Sequence, residues 1–235
     1  MRSILFCLVC ISHTVCLAQG SLSGTSSNTR FGTQVTLSDA FGRPIITATD
    51  EGRGSAFYSN EYKYADIVLR QGRNLSGVKT RIDLLLQSVQ AIGRDGVAMT
   101  LEAGLVKELR YADTTREGVL LYQWQTGFPP VDDKTDKQFY LVLAEGKCTL
   151  LRSIQKRVNE RKNELSGEIT REFDTYEDYY FFQNGAMKRW KRTKEFLLEL
   201  MADRQREILK YIEDNKIKPG KIEQVAKLVF FYNTQ

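Results

Sequence analysis

Between residues 57 and 188 short apolar or alternating runs recur, separated by glycine turns. The runs are 66–69, 88–92, 118–122, 139–143, 149–154 and 179–182. Their lengths and their Val, Ile, Tyr and Phe content predict β-strands. Between them stand Gln71-Gly72, Asp95-Gly96, Glu145-Gly146 and Asn184-Gly185. Such pairs tolerate the positive φ angles of tight hairpins, so neighbouring strands should run antiparallel. No run alternates with a long helix, which argues against a parallel nucleotide-binding sheet.

The period changes near residue 190. Leu197, Leu200 and Met201 share a helical face, and Ile208, Tyr211 and Ile212 repeat the spacing. Ile222, Val225, Ala226, Val229 and Phe230 stand at offsets expected of an amphipathic helix. Thr193 and Asp203 are placed to cap helix starts, and Pro219-Gly220 separates the last two helices. The expected fold class is α+β: an antiparallel β-meander or partly open barrel at 57–188, followed by a short helical tail at 189–235 packed on the sheet.

The first residues read differently. Arg2 supplies an early charge, residues 4–11 are apolar, and Cys16-Leu17-Ala18 precedes Gln19. This charged, apolar and small-residue order predicts a secretory signal peptide over 1–18, with cleavage before Gln19. Ser12-His13-Thr14 breaks the apolar run well short of the ~20 residues a spanning helix needs, so no transmembrane anchor is expected after cleavage. Residues 19–56 are rich in Ser, Gly and Thr and predict a flexible segment.

Removing 1–18 takes away Cys7, Cys10, Cys16 and the chain's one histidine, His13. Cys148 then has no partner for an internal disulfide and reads as a small apolar residue in a strand. Serine–histidine and cysteine–histidine catalysis would be excluded, as would histidine-based zinc sites. No cofactor is expected.

Overall composition is ordinary for a globular chain, with 42% apolar residues and a net charge of +5. The distribution of that charge is more telling. Lys147, Arg152, Lys156, Arg157, Arg161 and Lys162 gather around one predicted strand. Lys188, Arg189, Lys191, Arg192 and Lys194 form a second run. Aromatic residues stand beside them: Tyr179, Tyr180, Phe181, Phe182 and Trp190. A basic face with aromatics attracts anionic partners through charge. In a secreted protein those partners would be anionic glycans, lipid head groups or another envelope protein, and not nucleic acid. Two acidic groups offer the competing chemistry. Asp132, Asp133 and Asp136 lie in one loop, and Glu172, Asp174, Glu177 and Asp178 in one strand. A histidine-free hydrolase would use paired carboxylates from such groups, one with a raised pKa. The first group lacks the Gly and terminal Glu of an EF-hand loop, so no metal site is expected.

Two stretches carry a family resemblance. The first holds Gly54-Ser55-Ala56-Phe57, Tyr62, Ile67-Val68-Leu69-Arg70-Gln71-Gly72 and Val78-Lys79-Thr80-Arg81-Ile82-Asp83-Leu84. The second holds Gly127-Phe128-Pro129-Pro130-Val131, Phe139-Tyr140-Leu141-Val142-Leu143, Gly146-Lys147 and Leu150-Leu151. With Tyr179-Tyr180 and Tyr232-Asn233 they resemble a family of secreted proteins from Bacteroidetes-type bacteria that has no assigned activity. Ser55-Ala56-Phe57, Tyr62 and Ala65 stand where that family usually has Ser-Pro-Phe, Trp and Gly. The resemblance implies a Gram-negative envelope location, in the periplasm or at the outer membrane, and a shared fold, but no reaction. The expected function is therefore that of a secreted, non-enzymatic binding or structural module, with the hydrolase as the alternative.

Overall fold

The computed structural model describes residues 54–234 apart from 94, 117 and 163–168, together with one short strand pair near the N-terminus. The signal segment, its cleavage point at Gln19, His13 and the first three cysteines lie outside the described residues, as does most of 19–56. The chain divides into two compact units, residues 1–48 and 49–235. In the first, β1 (Leu37–Ser38) pairs antiparallel with β2 (Pro44–Ile45).

The second unit is mostly one open antiparallel sheet. Its strands are β3 (Lys63–Leu69), β4 (Asn74–Asp83), β5 (Ser88–Ile92), β6 (Ala98–Glu102), β7 (Val106–Thr115), β8 (Gly118–Gln125), β9 (Tyr140–Ala144), β10 (Thr149–Lys162), β11 (Ile169–Gln183) and β12 (Ala186–Arg189). Their spatial order is β12-β11-β10-β9-β8-β7-β3-β4-β5-β6. Two meanders are therefore joined where β7 pairs with β3. All four glycine pairs noted above fall between strands. At Asn184-Gly185 both φ values are positive, 51° and 75°, as a two-residue hairpin turn requires.

Register is unbroken along the fourteen-residue β10–β11 ladder, so successive residues take opposite faces. Leu150 and its partner Phe181 face one way, and Leu151 and its partner Tyr180 face the other. The first face is covered by α1 (Lys194–Leu200), α2 (Gln205–Asp214) and α3 (Ile222–Thr234), and buries Cys148, Leu197, Met201, Ile208, Val225 and Val229. The second face buries Phe128, Tyr140, Leu151 and Tyr180 beneath the loop that joins β8 to β9. A third core, around Ile67, Leu109, Trp124, Phe139 and Ile154, joins the two meanders.

The helices depart from expectation at two points. Thr193 does cap α1, accepting from Phe196 N–H at 3.3 Å. Asp203 caps nothing: it lies in a 3-10 turn, takes an ion pair from Lys147, and accepts the Tyr232 hydroxyl at 2.8 Å. In α3 the buried stripe is Val225, Leu228, Val229 and Tyr232, and Phe230 is 66% exposed. The true stripe follows the i, i+3, i+4, i+7 pattern from Val225, which rotates Phe230 out of contact.

Candidate functional site

Strand β9 pairs with β10 only from Leu150 to Ser153. Beyond that point the edge of β10 is met by the turn at 84–87. Lys156 N–H donates to the Leu84 carbonyl at 3.1 Å, and the Gln87 amide donates to the Ile154 carbonyl at 3.2 Å. Asp83 shapes this turn by accepting from Leu85 and Leu86 N–H at 2.9 and 2.8 Å. Burial raises the Asp83 carboxyl above its usual range, and those two hydrogen bonds oppose the shift.

Three glutamines continue the network. Gln155 donates to Gln138 at 2.9 Å, and Gln138 donates to Gln87 at 2.8 Å. The Gln87 oxygen also accepts from Phe139 N–H at 3.1 Å. Gln87 adopts φ 50°, an unusual conformation for a non-glycine residue, held here by four hydrogen bonds through its amide. The turn and the strand edge enclose a recess of about 380 Å³. Leu84 and Leu85 form its apolar side, Gln155 presents an amide, and the Gln87 amide, though it lines the recess, is committed to its internal bonds. Lys156, Arg157 and Asp133 bring charge to it. Lys156 and Arg157 point to opposite faces of β10, yet both reach a recess that opens along the strand's edge.

The loop at 126–138 forms a neighbouring wall, and each of its acids is matched to a donor. Asp136 takes Arg70 at 3.1 Å. Asp132 accepts the Tyr180 hydroxyl at 2.9 Å. Asp133 pairs with Lys134 at 2.9 Å and with Arg157 at 3.7 Å. Lys134 is buried and also reaches Asp178 at 3.3 Å. The hydrogen bond and charge of Lys134 hold the Asp133 carboxyl below its usual range.

The second acidic group is divided by strand alternation. Glu172, Asp174 and Asp178 share one face of β11, and Glu177 points to the other, where it forms a two-point pair with Arg152 at 3.1 and 2.5 Å. Among the described residues no three carboxylate, thiol or imidazole groups are gathered as metal ligands. Burial pushes the Cys148 thiol up to about 12.

The basic residues are also divided. Lys156 and Arg157 meet at the recess. Lys147 and Lys188 meet at a second cavity of about 390 Å³ between β12 and α1, where Asp203 and Glu199 pair with them at 2.5 and 3.6 Å. Arg189 pairs with Asp178 and lies 3.6 Å from Asp132. Arg192 stacks over Trp190 at 5.2 Å, and Lys191 and Lys162 are exposed. Arg161 keeps its backbone pairing with Thr170, while its side chain lies outside the described residues. The glutamine relay was absent from the sequence reading. Its members are 51 and 17 positions apart and carry no charge or spacing signal.

No family model, curated protein or solved structure matches this chain.

Proposed function

We propose that the protein is a secreted envelope component that binds an anionic glycan, and that it does so at the recess beside β10. The observation that carries this reading is that Lys156, Arg157 and the amide of Gln155 line one cavity. Cations attract carboxylated or sulfated sugars, and the Gln155 amide, with one N–H committed to Gln138, keeps bonding capacity for their hydroxyl groups. A cavity of this size fits a sugar unit better than it fits a flat lipid surface. The signal-like segment at 1–18 and the family resemblance support the envelope location. Among the described residues no helix is long and apolar enough to cross a membrane.

The test is calorimetric titration with a polyuronate oligosaccharide at low and high salt, using anionic vesicles as a control. Binding should weaken as salt shortens the screening length toward about 8 Å and below. Lys156→Glu with Arg157→Glu should weaken it at least about tenfold. Binding unchanged by both charge reversal and salt, or binding to vesicles alone, overturns the proposal.

A further inference from the structure

The 126–138 loop covers the second face of the β10–β11 ladder as far as the bond from Gln155 to Gln138. Past that bond it reaches the strands through the 3.7 Å pair of Asp133 and Arg157. The aromatic residue on this face just outside the loop is Tyr176. It stands directly across from Gln155 in the ladder. Gln155 lines the recess, so its cross-strand neighbour lies at the recess margin.

The two tyrosines on this face of β11 are treated differently. Tyr180 is fully buried, and its hydroxyl donates to Asp132 at 2.9 Å. Tyr176 is 42% exposed. Its ring is steadied by Arg157, whose guanidinium lies 4.8 Å from the ring centroid. A cation over one face of an aromatic ring leaves the other face for a ligand. The acids that flank Tyr176 along the strand already have partners. Asp174 accepts from Asn159, and Asp178 takes Lys134 and Arg189. What this margin offers a ligand is therefore the aromatic ring itself, with Arg157 beside it.

We propose that Tyr176 is a second subsite for the glycan, taking the sugar unit next to the charged one held at the recess. This rests on the glycan reading of the recess. Paired residues of antiparallel strands have Cα atoms about 4.5–5.5 Å apart, which is the step of one pyranose unit along its chain. A glycan that leaves the recess over Gln155 sets its next ring over Tyr176, and so crosses the strands instead of following them. A pyranose carries C–H groups on its face, and these pack against the negative face of an aromatic ring. Arg157 reaches both the recess and the ring, so a second acidic unit meets the same cation. The ligand class is a linear acidic glycan of two units or more whose pyranose faces are unsubstituted.

The test titrates the protein with galacturonate and with trigalacturonate, followed by NMR chemical shifts so that weak binding is still measured. The parent should bind the trisaccharide at least about tenfold more tightly. Tyr176→Ala should remove that advantage and leave the affinity for the monosaccharide unchanged. Tyr176→Phe should keep both affinities, because the ring face makes the contact. The melting temperature of each variant should match the parent's, since the side chain is exposed. Equal losses for both sugars in Tyr176→Ala overturn the proposal, because the ring then serves only to prop Arg157. A chain-length advantage undiminished by Tyr176→Ala, with binding still abolished by Lys156→Glu and Arg157→Glu, sinks the subsite and spares the recess. Failure of the recess reading looks different: neither sugar binds, or both bind regardless of the charge reversal, and the subsite falls with it.

Discussion

The β9–β12 half of the sheet and the β7–β8 hairpin are built from similar apolar runs, and the fold treats them in opposite ways. Leu150 and Leu151 are adjacent on β10 and both are fully buried, because helices cover one face and the 126–138 loop covers the other. Leu120 and Leu121 are adjacent on β8 and both are exposed. An apolar run thus identifies a strand without identifying what covers it. Cover is supplied by segments remote in sequence, and the β9–β12 half has two of them.

The sharpest way to break the comparison is to remove the helical cover. Val229 is fully buried between α3 and the sheet. Val229→Asp places a carboxylate there without a partner and should cost more than about 4 kcal/mol, seen as loss of the cooperative thermal transition or as aggregation.

The loop cover is the next test. Lys134 links Asp133 to Asp178 from a buried position, so Lys134→Ala should destabilise by roughly 1–3 kcal/mol, read by urea denaturation. The same link sets an acid response. Asp133 has its folded pKa depressed, so its contribution is complete above the unfolded value of about 3.9 and is lost as pH falls through the folded value. Acid titration of stability below that point should be shallower in Lys134→Ala than in the parent.

Cys148 reports on the helical cover without altering it. Its thiol should resist a thiol-specific reagent at neutral pH, since burial keeps it protonated, and it should react at the rate of global opening. The smallest effect is expected at the hairpin. Leu121→Thr should change stability by no more than about 0.5 kcal/mol, a value that sets the uncovered strand against the buried one.

The same contrast explains what the sequence made legible. Turn chemistry is local, so Gln71-Gly72, Asp95-Gly96, Glu145-Gly146 and Asn184-Gly185 marked four real strand boundaries. Thr193 was found for the same reason, since its bond reaches only to Phe196. Asp203 has two competing partners, Lys147 and Tyr232, that are distant in sequence, so reading it as a cap fails. The long reach of β10 through 157–162 and of β11 through 169–174 was hidden by the many charged residues there. These lie on a projecting ladder, where strands are held by backbone bonds rather than by an apolar face. The basic cluster was legible as composition, but strand alternation sends Arg152 and Lys156 to one face and Arg157 to the other. The glutamine relay depends on tertiary placement alone.

The side chain of Asn233 donates to the carbonyls of Glu145 and Cys148 and accepts from Cys148 N–H, at 3.2, 2.7 and 2.9 Å. It sits against Gly146, where an added Cβ would fall 2.5 Å from the Asn233 side chain. The bonded residues are 85 positions or more apart, whereas the β10–β11 hairpin joins residues close in sequence. Loop closure makes such distant contacts late events in folding. The Asn233 plug should therefore act as a latch on escape rather than as a guide to assembly. Asn233→Ala should speed unfolding while leaving the refolding rate nearly untouched, and the lifetime of the folded state would rest on one amide more than its rate of formation does.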